Sequence, residues 1–407
     1  MEGGSVVSWK RNFYVLWITE VIAILGFQCI QPFLPFYIQK FLGGDLGHAA
    51  VWAGWLGTAG GMGMAIFSPI WGAVADRVGR KPMVARAMIG GGLTVFLMIL
   101  TRSVEQLLVV RFLQGALAGT VTACIALAST TVPKNQLGFA LGTMQMGFLM
   151  GNAAGPLFGG VVIDHFGYTL SFVLSGTLIL LAGCCVYAFV VEDFRRPSAS
   201  SETQWKSHLI EGIRPFLSNQ PYIIMLVSLT LIQFTFSVVI PIFPLFVQQL
   251  AHTEKIASLA GGIFALSGVT GAISSVLLGR FSDRIGYRRT LVAGIFVAGT
   301  VFFAHAFVRS VFELAVLRVL LGLTAGAINP VVNAMIAGFI PEKHRGKAFG
   351  LTSSASAISW ATGPVIGGHL GATWGFRSVF VVTAALFVGV GTWVLAVVKE
   401  PQHKDIA

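Results

Sequence analysis

The chain has 407 residues, of which 55% are apolar and only 11% are charged, and its mean hydropathy is +0.80. These values exclude an ordinary soluble protein, in which about 25% of residues are charged. Apolar blocks of about 20 residues recur too often for a single membrane anchor. The net charge of +11 does not indicate nucleic-acid binding, because the basic residues lie in short loops between apolar segments.

Twelve membrane-spanning helices are predicted from the lengths of the apolar segments and from the glycine, proline and charged residues that separate them. They lie near residues 13–38, 51–74, 83–101, 105–131, 139–163, 170–191, 222–248, 257–281, 290–308, 312–338, 348–371 and 376–398. The polar stretch from Glu192 to Gln220 is typical of a flexible linker. We therefore expect an all-α polytopic fold with a six-helix bundle at 1–191, a linker at 192–220 and a second six-helix bundle at 221–407.

The loops carry a strong charge bias. The termini and even-numbered loops hold twenty lysines and arginines, whereas the odd-numbered loops hold five. Because basic loops stay on the cytoplasmic side of a membrane, both termini are expected in the cytoplasm. The expected location of the protein is the inner membrane of the cell. The apolar run from Phe13 to Ile38 is too long for a signal peptide and reads as a retained first span.

The chemistry-bearing motifs of enzymes are missing from the sequence. The four cysteines (Cys29, Cys124, Cys184 and Cys185) lie in apolar spans without metal-ligand or redox spacing. There is no GxxxxGK[ST] loop for ATP and no HExxH or GxSxG motif. We therefore expect no metal, no cofactor and no enzymatic activity.

The two halves of the chain repeat one another at a nearly constant offset. The matched pairs are Asp76 and Asp283, Arg111 and Arg318 (both at 207), Gly155 and Gly363 (at 208), and Pro32 and Pro241 (at 209). Two parallel six-span repeats are expected to form a substrate pathway at their interface and to open it alternately to the two sides.

These motifs resemble those of the major facilitator superfamily over essentially the whole chain. The segment from Gly72 to Lys81 resembles the signature loop between spans two and three, and Arg111 to Gly115 resembles the arginine motif of span four. Residues Gly151 to Gly160 resemble the span-five motif associated with antiporters. The last resemblance implies efflux, as in the twelve-span drug/proton antiporter branch and its bacterial multidrug exporters.

Charged residues inside the predicted spans are rare, because placing a charged side chain in a bilayer costs free energy. Glu20 is the only acid well within a span, and a buried carboxyl group can load and lose a proton. The alternative is that Glu20 only faces water or is paired structurally. By resemblance, Arg111 influences proton coupling and Arg318 is structural. Their expected depths differ by roughly 10 Å, so Glu20 and Arg111 are not expected to form a direct salt bridge.

Polar and aromatic residues on spans one, four, five, seven and ten are the candidates for a substrate cavity. They are Phe27, Gln31, Gln114, Gln145, Gln233, Phe234, Asn329 and Asn333. The amides are the better candidates, because an unsatisfied amide is costly in hydrocarbon. For the aromatic residues, lipid-facing or core packing is the alternative.

Two further groups of residues are expected to govern conformational change. By resemblance, a cytoplasmic latch comprises Gly72, Asp76, Arg77, Gly79, Arg80, Asp283 and Arg284. Small residues at helical spacing form close-packing faces at Gly151, Gly155, Pro156, Gly159, Gly363, Pro364 and Gly367. The alternative for the latch residues is that they only set the membrane topology. The alternative for the small residues is that they only provide static helix packing.

The sequence thus predicts a proton-coupled transporter that exports amphipathic small molecules by alternating access. The alternative of the same fold is a dedicated carrier for a sugar, an amino acid or another metabolite. A channel or a lipid-handling protein fits the parallel repeat less well. The expected partners are the small-molecule substrate, protons and the lipid bilayer, with no nucleic acid, and the chain is expected to be a monomer.

Overall fold

The computed structural model describes residues 9–133, 136–194, 219–251, 253–340 and 345–398. All regular elements within these ranges are helices, which confirms the predicted all-α class. They are α1 (Trp9–Gln28), a 3-10 turn (Gln31–Phe33), α2 (Leu34–Gln39), α3 (Leu46–Val78), α4 (Arg80–Ile99), α5 (Val104–Leu117), α6 (Thr120–Thr131), α7 (Leu137–Phe189), α8 (Gln220–Val239), α9 (Ile242–Leu250), α10 (Ile256–Ile285), α11 (Tyr287–His305), α12 (Val311–Gly338), α13 (Arg345–Trp374) and α14 (Phe376–Val397).

Ten helical segments in the described ranges are long and apolar enough to cross a membrane. The 53-residue α7 is one of them, but a straight helix of that length would measure about 80 Å, far beyond one bilayer. Gly167 divides it, because its φ of 81° and ψ of 173° are not helical. The two parts of α7 correspond to the predicted spans five and six, and the 30-residue α13 corresponds to span eleven.

The chain forms two compact units. The first comprises Met1–Tyr37, Met62–Pro197 and Glu254–Ala265, and in it α1 and α4 both pack on α7. The second comprises Ile38–Gly61, Ser198–Thr253 and Leu266–Ala407, and in it α8 packs on α13 while α11 packs on α12 and α14. Most of the predicted linker, residues 195–218, lies outside the described residues.

Three predicted spans are interrupted rather than continuous. Spans one and seven break near Pro32 and Pro241, where the missing amide hydrogen stops the helical ladder. The predicted span four, 105–131, corresponds to one segment, Val104–Thr131, that is long and apolar enough to cross a membrane, but it is interrupted. Its helix ends at Leu117, and Gly119 adopts a left-handed conformation with a φ of 116° before α6 begins.

The backbone repeats its special conformations at the offset found in the sequence. Gly79 and Gly286 are the N-caps of α4 and α11, with φ values of 103° and 104°. Gly167 and Gly375 each join two helices with a φ of 81°. Glycine is favoured at all four positions because residues with a Cβ rarely adopt such positive φ values.

Two serines also repeat their structural roles. Ser103 accepts a hydrogen bond from the backbone N–H of Gln106 at 3.3 Å, and Ser310 accepts one from Glu313 at 3.2 Å. The side chains of Gln106 and Glu313 in turn accept a backbone N–H bond from the residue preceding each serine, at 2.8 Å. This reciprocal arrangement stabilises the starts of α5 and α12.

Candidate functional site

Glu20 is completely buried in α1, with an exposed fraction of 0%. Neither carboxylate oxygen has a hydrogen-bond partner among the described residues. Helix α1 packs against α7 and α6. A buried, unpartnered acid in a membrane-spanning helix is a candidate for a functional site.

Arg111 and Gln114 form a pair on α5. Both side chains are buried, and a terminal nitrogen of the Arg111 guanidinium donates to the amide oxygen of Gln114. They meet because residues three apart share one face of a helix. Among the described residues no ion pair joins Glu20 to Arg111.

The repeat counterpart of Arg111 has a different environment. The guanidinium carbon of Arg318 lies 3.5 Å from the ring centroid of Phe243, a cation–π contact that stabilises a cation away from water. The two matched arginines therefore differ in partner: an amide oxygen in the first half and an aromatic face in the second.

The remaining candidate cavity residues are half-buried or exposed, unlike the buried Gln114. The Phe27 ring packs against α4, where a Cβ built on Gly91 would lie 2.5 Å from it, so this aromatic side chain has a packing role. Gln233 and Phe234 are half-buried. Four amides are exposed on the protein surface: Gln31, Gln145, Asn329 and Asn333.

The glycine face of α7 lies directly against α1. A Cβ on Gly151 would lie 2.9 Å from the Ile24 side chain, and one on Gly155 would lie 2.5 Å from that of Gln28. A Cβ on Gly159 would lie 2.5 Å from the α-carbon of Cys29. The glycines let the two backbones approach closely.

The second half repeats this packing between α13 and α8. A Cβ on Gly363 would lie 2.9 Å from the β-carbon of Ser237, and one on Gly367 would lie 2.8 Å from the carbonyl carbon of Val238. The Ser237 hydroxyl also donates to the carbonyl of Ser359 at 2.9 Å. In the first half, the corresponding cross-link is a hydrogen bond from the Gln28 amide to Asn152, which the sequence analysis missed.

The two prolines of these motifs contact helices from the opposite repeat. Pro156 of α7 lies against Gly261 of α10, where a Cβ would come 2.8 Å from its carbonyl carbon. Reciprocally, Pro364 of α13 lies against Gly54 of α3, where a Cβ would come 2.5 Å from its carbonyl oxygen. In each motif, therefore, the glycines pack against a helix of the same repeat. The proline of the same motif contacts a helix of the other repeat.

Asp164 strengthens one of these two junctions. Its carboxylate accepts backbone N–H bonds from Ala257 at 3.2 Å and from Ser258 at 2.6 Å, at the start of α10. The repeat position at an offset of 208 is Ala372, which has no carboxylate to offer. The only sequence signal for this residue was a lone acid at the end of the span-five motif.

The first copy of the predicted latch includes the capped start of α4. Glu192 accepts backbone N–H bonds from Arg80 at 2.9 Å and Lys81 at 2.8 Å, and so caps α4 directly after Gly79. The Arg80 guanidinium donates to the Ala126 carbonyl at 3.2 Å. Sequence reasoning assigned Glu192 to the linker and missed this role, which no local motif signals.

Asp76 lies exposed at the edge of a cavity of about 420 Å³ beside this cap. Among the described residues Asp76 has no ion pair. Gly72, Arg77 and Arg284 are also exposed. The side chain of Asp283 lies outside the described residues.

Comparisons with known proteins agree with this architecture. The family model of the Major Facilitator Superfamily matches residues 16–271 and 225–407. The chain is 33% identical over 407 residues to "Multidrug resistance protein MdtG" of Escherichia fergusonii, with 98% of each chain covered. It is 34% identical over 381 residues to the protein of the same name from Enterobacter lignolyticus, which covers 93% of this chain and 90% of that one.

Solved structures of transporters share the fold at low sequence identity. The nucleoside transporter NupG superposes with a TM-score of 0.77 at 14% identity, covering 95% of this chain and 99% of that chain. A bacterial homologue of the human lysosomal transporter Spinster, in an inward-facing and unoccupied conformation, gives a TM-score of 0.76 at 15% identity, covering 97% and 98%.

The family match spans most of the sequence, and the relatives align over nearly their whole length. The chain therefore belongs to the major facilitator superfamily and is a membrane transporter rather than an enzyme.

Proposed function

We propose that this protein exports amphipathic small molecules in exchange for protons. The observation that carries the proposal is the fully buried, unpartnered Glu20, in a chain similar over nearly its full length to multidrug resistance proteins. A carboxyl group without a fixed partner can bind either a proton or a cationic substrate. The two occupants would then compete for one site, which is the basis of exchange.

The energetics of this exchange are sufficient for efflux. One elementary charge moving down 100 mV releases about 2.3 kcal/mol, which sustains a substrate gradient of about 40-fold. Exchange of one proton for a monovalent cation moves no net charge, so in that case only the pH gradient drives export. Substrate charge therefore determines which component of the proton gradient is used.

Arg111 is proposed to influence this coupling through its bond with Gln114 rather than by direct contact with Glu20. The exposed amides Gln31, Gln145, Asn329 and Asn333 are proposed to contact the substrate, together with Gln233 and Phe234. Asp76 and Arg80, with Asp283 and Arg284 of the second copy, are proposed to form the latch. Helix movement along the Gly155 and Gly363 faces would accompany its release.

We also propose a topology and organisation. The bias of twenty basic residues over five favours cytoplasmic termini in the inner membrane of a bacterial cell. Six-helix repeats at 1–191 and 221–407, joined by a linker at 192–220, would form one transport pathway, and a monomer would suffice for transport. Reporter fusions at each predicted loop test the topology.

Ethidium efflux from cells expressing the protein tests the central proposal. Wild type should export ethidium, and a protonophore should abolish export. Glu20→Gln should lose most of the proton-driven activity, because the amide cannot bind a proton reversibly. Glu105→Gln is the matched control, since Glu105 lies in the first turn of α5 and should be dispensable for exchange.

Export that persists after collapse of the proton gradient would overturn antiport. Full activity of Glu20→Gln, with wild-type sensitivity to the protonophore, would overturn the role of Glu20. Transport of one metabolite with no effect on ethidium or related dyes would favour a dedicated carrier instead.

A further inference from the structure

Span four of the first repeat is broken near its middle. The 14-residue α5 and the 12-residue α6 are separated at Ala118 and Gly119, so each part measures about 20 Å. The backbone N–H of Ala118 donates to the carbonyl of Gly115, and that of Ala123 donates to the carbonyl of Gly119. The regular series of helical backbone hydrogen bonds is interrupted between these two bonds. Open backbone at membrane depth persists only where other groups satisfy it.

Two side chains from neighbouring helices satisfy carbonyl groups at this break. The Trp71 indole of α3 donates to the carbonyl of Ala116 at 2.7 Å. The Arg86 guanidinium of α4 donates to the carbonyl of Ala118 at 3.4 Å and lies 3.8 Å from the Trp71 ring centroid. The two donors therefore form one stacked unit against the unwound segment.

The second repeat provides an internal comparison. At the offset of 207, Gly119 corresponds to Gly326, yet α12 is continuous from Val311 to Gly338 and Gly326 has no positive φ. Trp71 and Arg86 correspond to Leu278 and Ala293, neither of which has a side-chain donor. Glycine alone therefore does not open the helix, whereas the break coincides with the two donors.

The break separates two groups of the proposed coupling site. Helix α5 carries the Arg111–Gln114 pair, whereas α6 packs against α1, the helix that carries buried Glu20. We propose that Trp71 and Arg86 are positioning residues that hold span four unwound, so that α6 moves against Glu20 independently of α5 during exchange. This role rests on the proposed proton exchange, but the hinge itself can be tested without transport.

Hydrogen exchange of the full-length protein in lipid nanodiscs tests the hinge. In wild type, the amides of residues 119–122 should exchange faster than those of residues 326–329. The variant W71L/R86A introduces the residues of the second repeat and leaves the open carbonyls unsatisfied. The segment should then close into a continuous helix, and exchange at 119–122 should slow by about tenfold, the effect of one buried hydrogen bond on an equilibrium.

Two single variants guard against misfolding. W71F keeps the stacked ring but removes the donor, and should slow exchange in the same direction. Gly119→Ala should do so too, because its Cβ would meet nothing closer than 3.6 Å and only the left-handed backbone opposes it. Gly142→Ala, at a helical glycine with open space, is the control and should leave residues 119–122 unchanged.

Proteoliposome transport then tests the functional role. Proton-driven export by W71F and W71L/R86A should fall by about tenfold, in step with the slower amide exchange, while ethidium binding at equilibrium stays within about twofold. Unchanged or faster amide exchange in W71L/R86A overturns the hinge. Slower amide exchange with intact proton-driven export overturns its role in coupling. Wild-type export without any proton dependence refutes the proposed function but leaves the hydrogen-exchange result valid.

Discussion

Asp164 is expected to control how easily α10 separates from α7. In Asp164→Ala, the start of α10 loses two hydrogen bonds from one carboxylate. Removing a helix N-cap costs about 0.5–2 kcal/mol, and a negative charge at a helix start contributes up to about 2 kcal/mol. A loss of about 2 kcal/mol shifts the equilibrium between the joined and separated helices by about 30-fold.

Cysteine labelling measures this equilibrium. Ala257 is 2% exposed, so a cysteine there, in a background lacking the native cysteines, reacts with a membrane-impermeant maleimide only when the helices separate. Asp164→Ala should raise the labelling rate by about 30-fold. Asp164→Asn should have a smaller effect, because its amide oxygen still accepts one bond. His165→Ala is the control, since its ring contacts the Val161 carbonyl and the Phe166 ring, both in its own helix.

Labelling of Asp164→Ala within about twofold of wild type would refute the reasoning, because one buried hydrogen bond already changes an equilibrium by more than that. An equal increase in His165→Ala would show that local disruption, rather than loss of the carboxylate, opens the junction.

Gly159→Ala should destabilise the protein by about 1–3 kcal/mol, because its Cβ would lie 2.5 Å from the α-carbon of Cys29 and the backbone must move. The thermal midpoint in detergent should fall, whereas Gly142→Ala should leave it unchanged or raise it; equal midpoints for the two variants would contradict the close packing. Ser103→Ala and Ser310→Ala should each cost about 1 kcal/mol through loss of an N-cap bond. Matching falls in the thermal midpoint support equivalent roles, and a fall in only one variant argues against them.

The sequence predicted the helical class and the repeat well, because both depend on local patterns. The apolar run lengths are set by bilayer thickness, and the offset of 207 placed Gly79 and Gly286 at turns that the structure gives nearly the same φ. A turn with a positive φ selects glycine at a single sequence position. Such a turn can therefore be predicted from the sequence without knowledge of the fold.

Interactions that depend on a partner from a distant helix could not be predicted. Gly119 and Gly326 occupy matched positions in the sequence, yet only Gly119 has a positive φ, and the donors Trp71 and Arg86 bind the carbonyl groups beside it. The cap from Glu192 is likewise made by a residue more than a hundred positions from the helix that it stabilises. Periodicity identified the glycine face of α7 but gave no information about which helix lies on it.

The two compact units have a consequence for biosynthesis. Residues Glu254–Ala265 belong with the first unit and Ile38–Gly61 with the second, so each exchanges a segment across the middle of the polypeptide. During translation, the first unit remains incomplete until residue 265 has left the ribosome. A gene split at the linker would therefore yield two fragments that finish folding only when both are inserted in the same membrane.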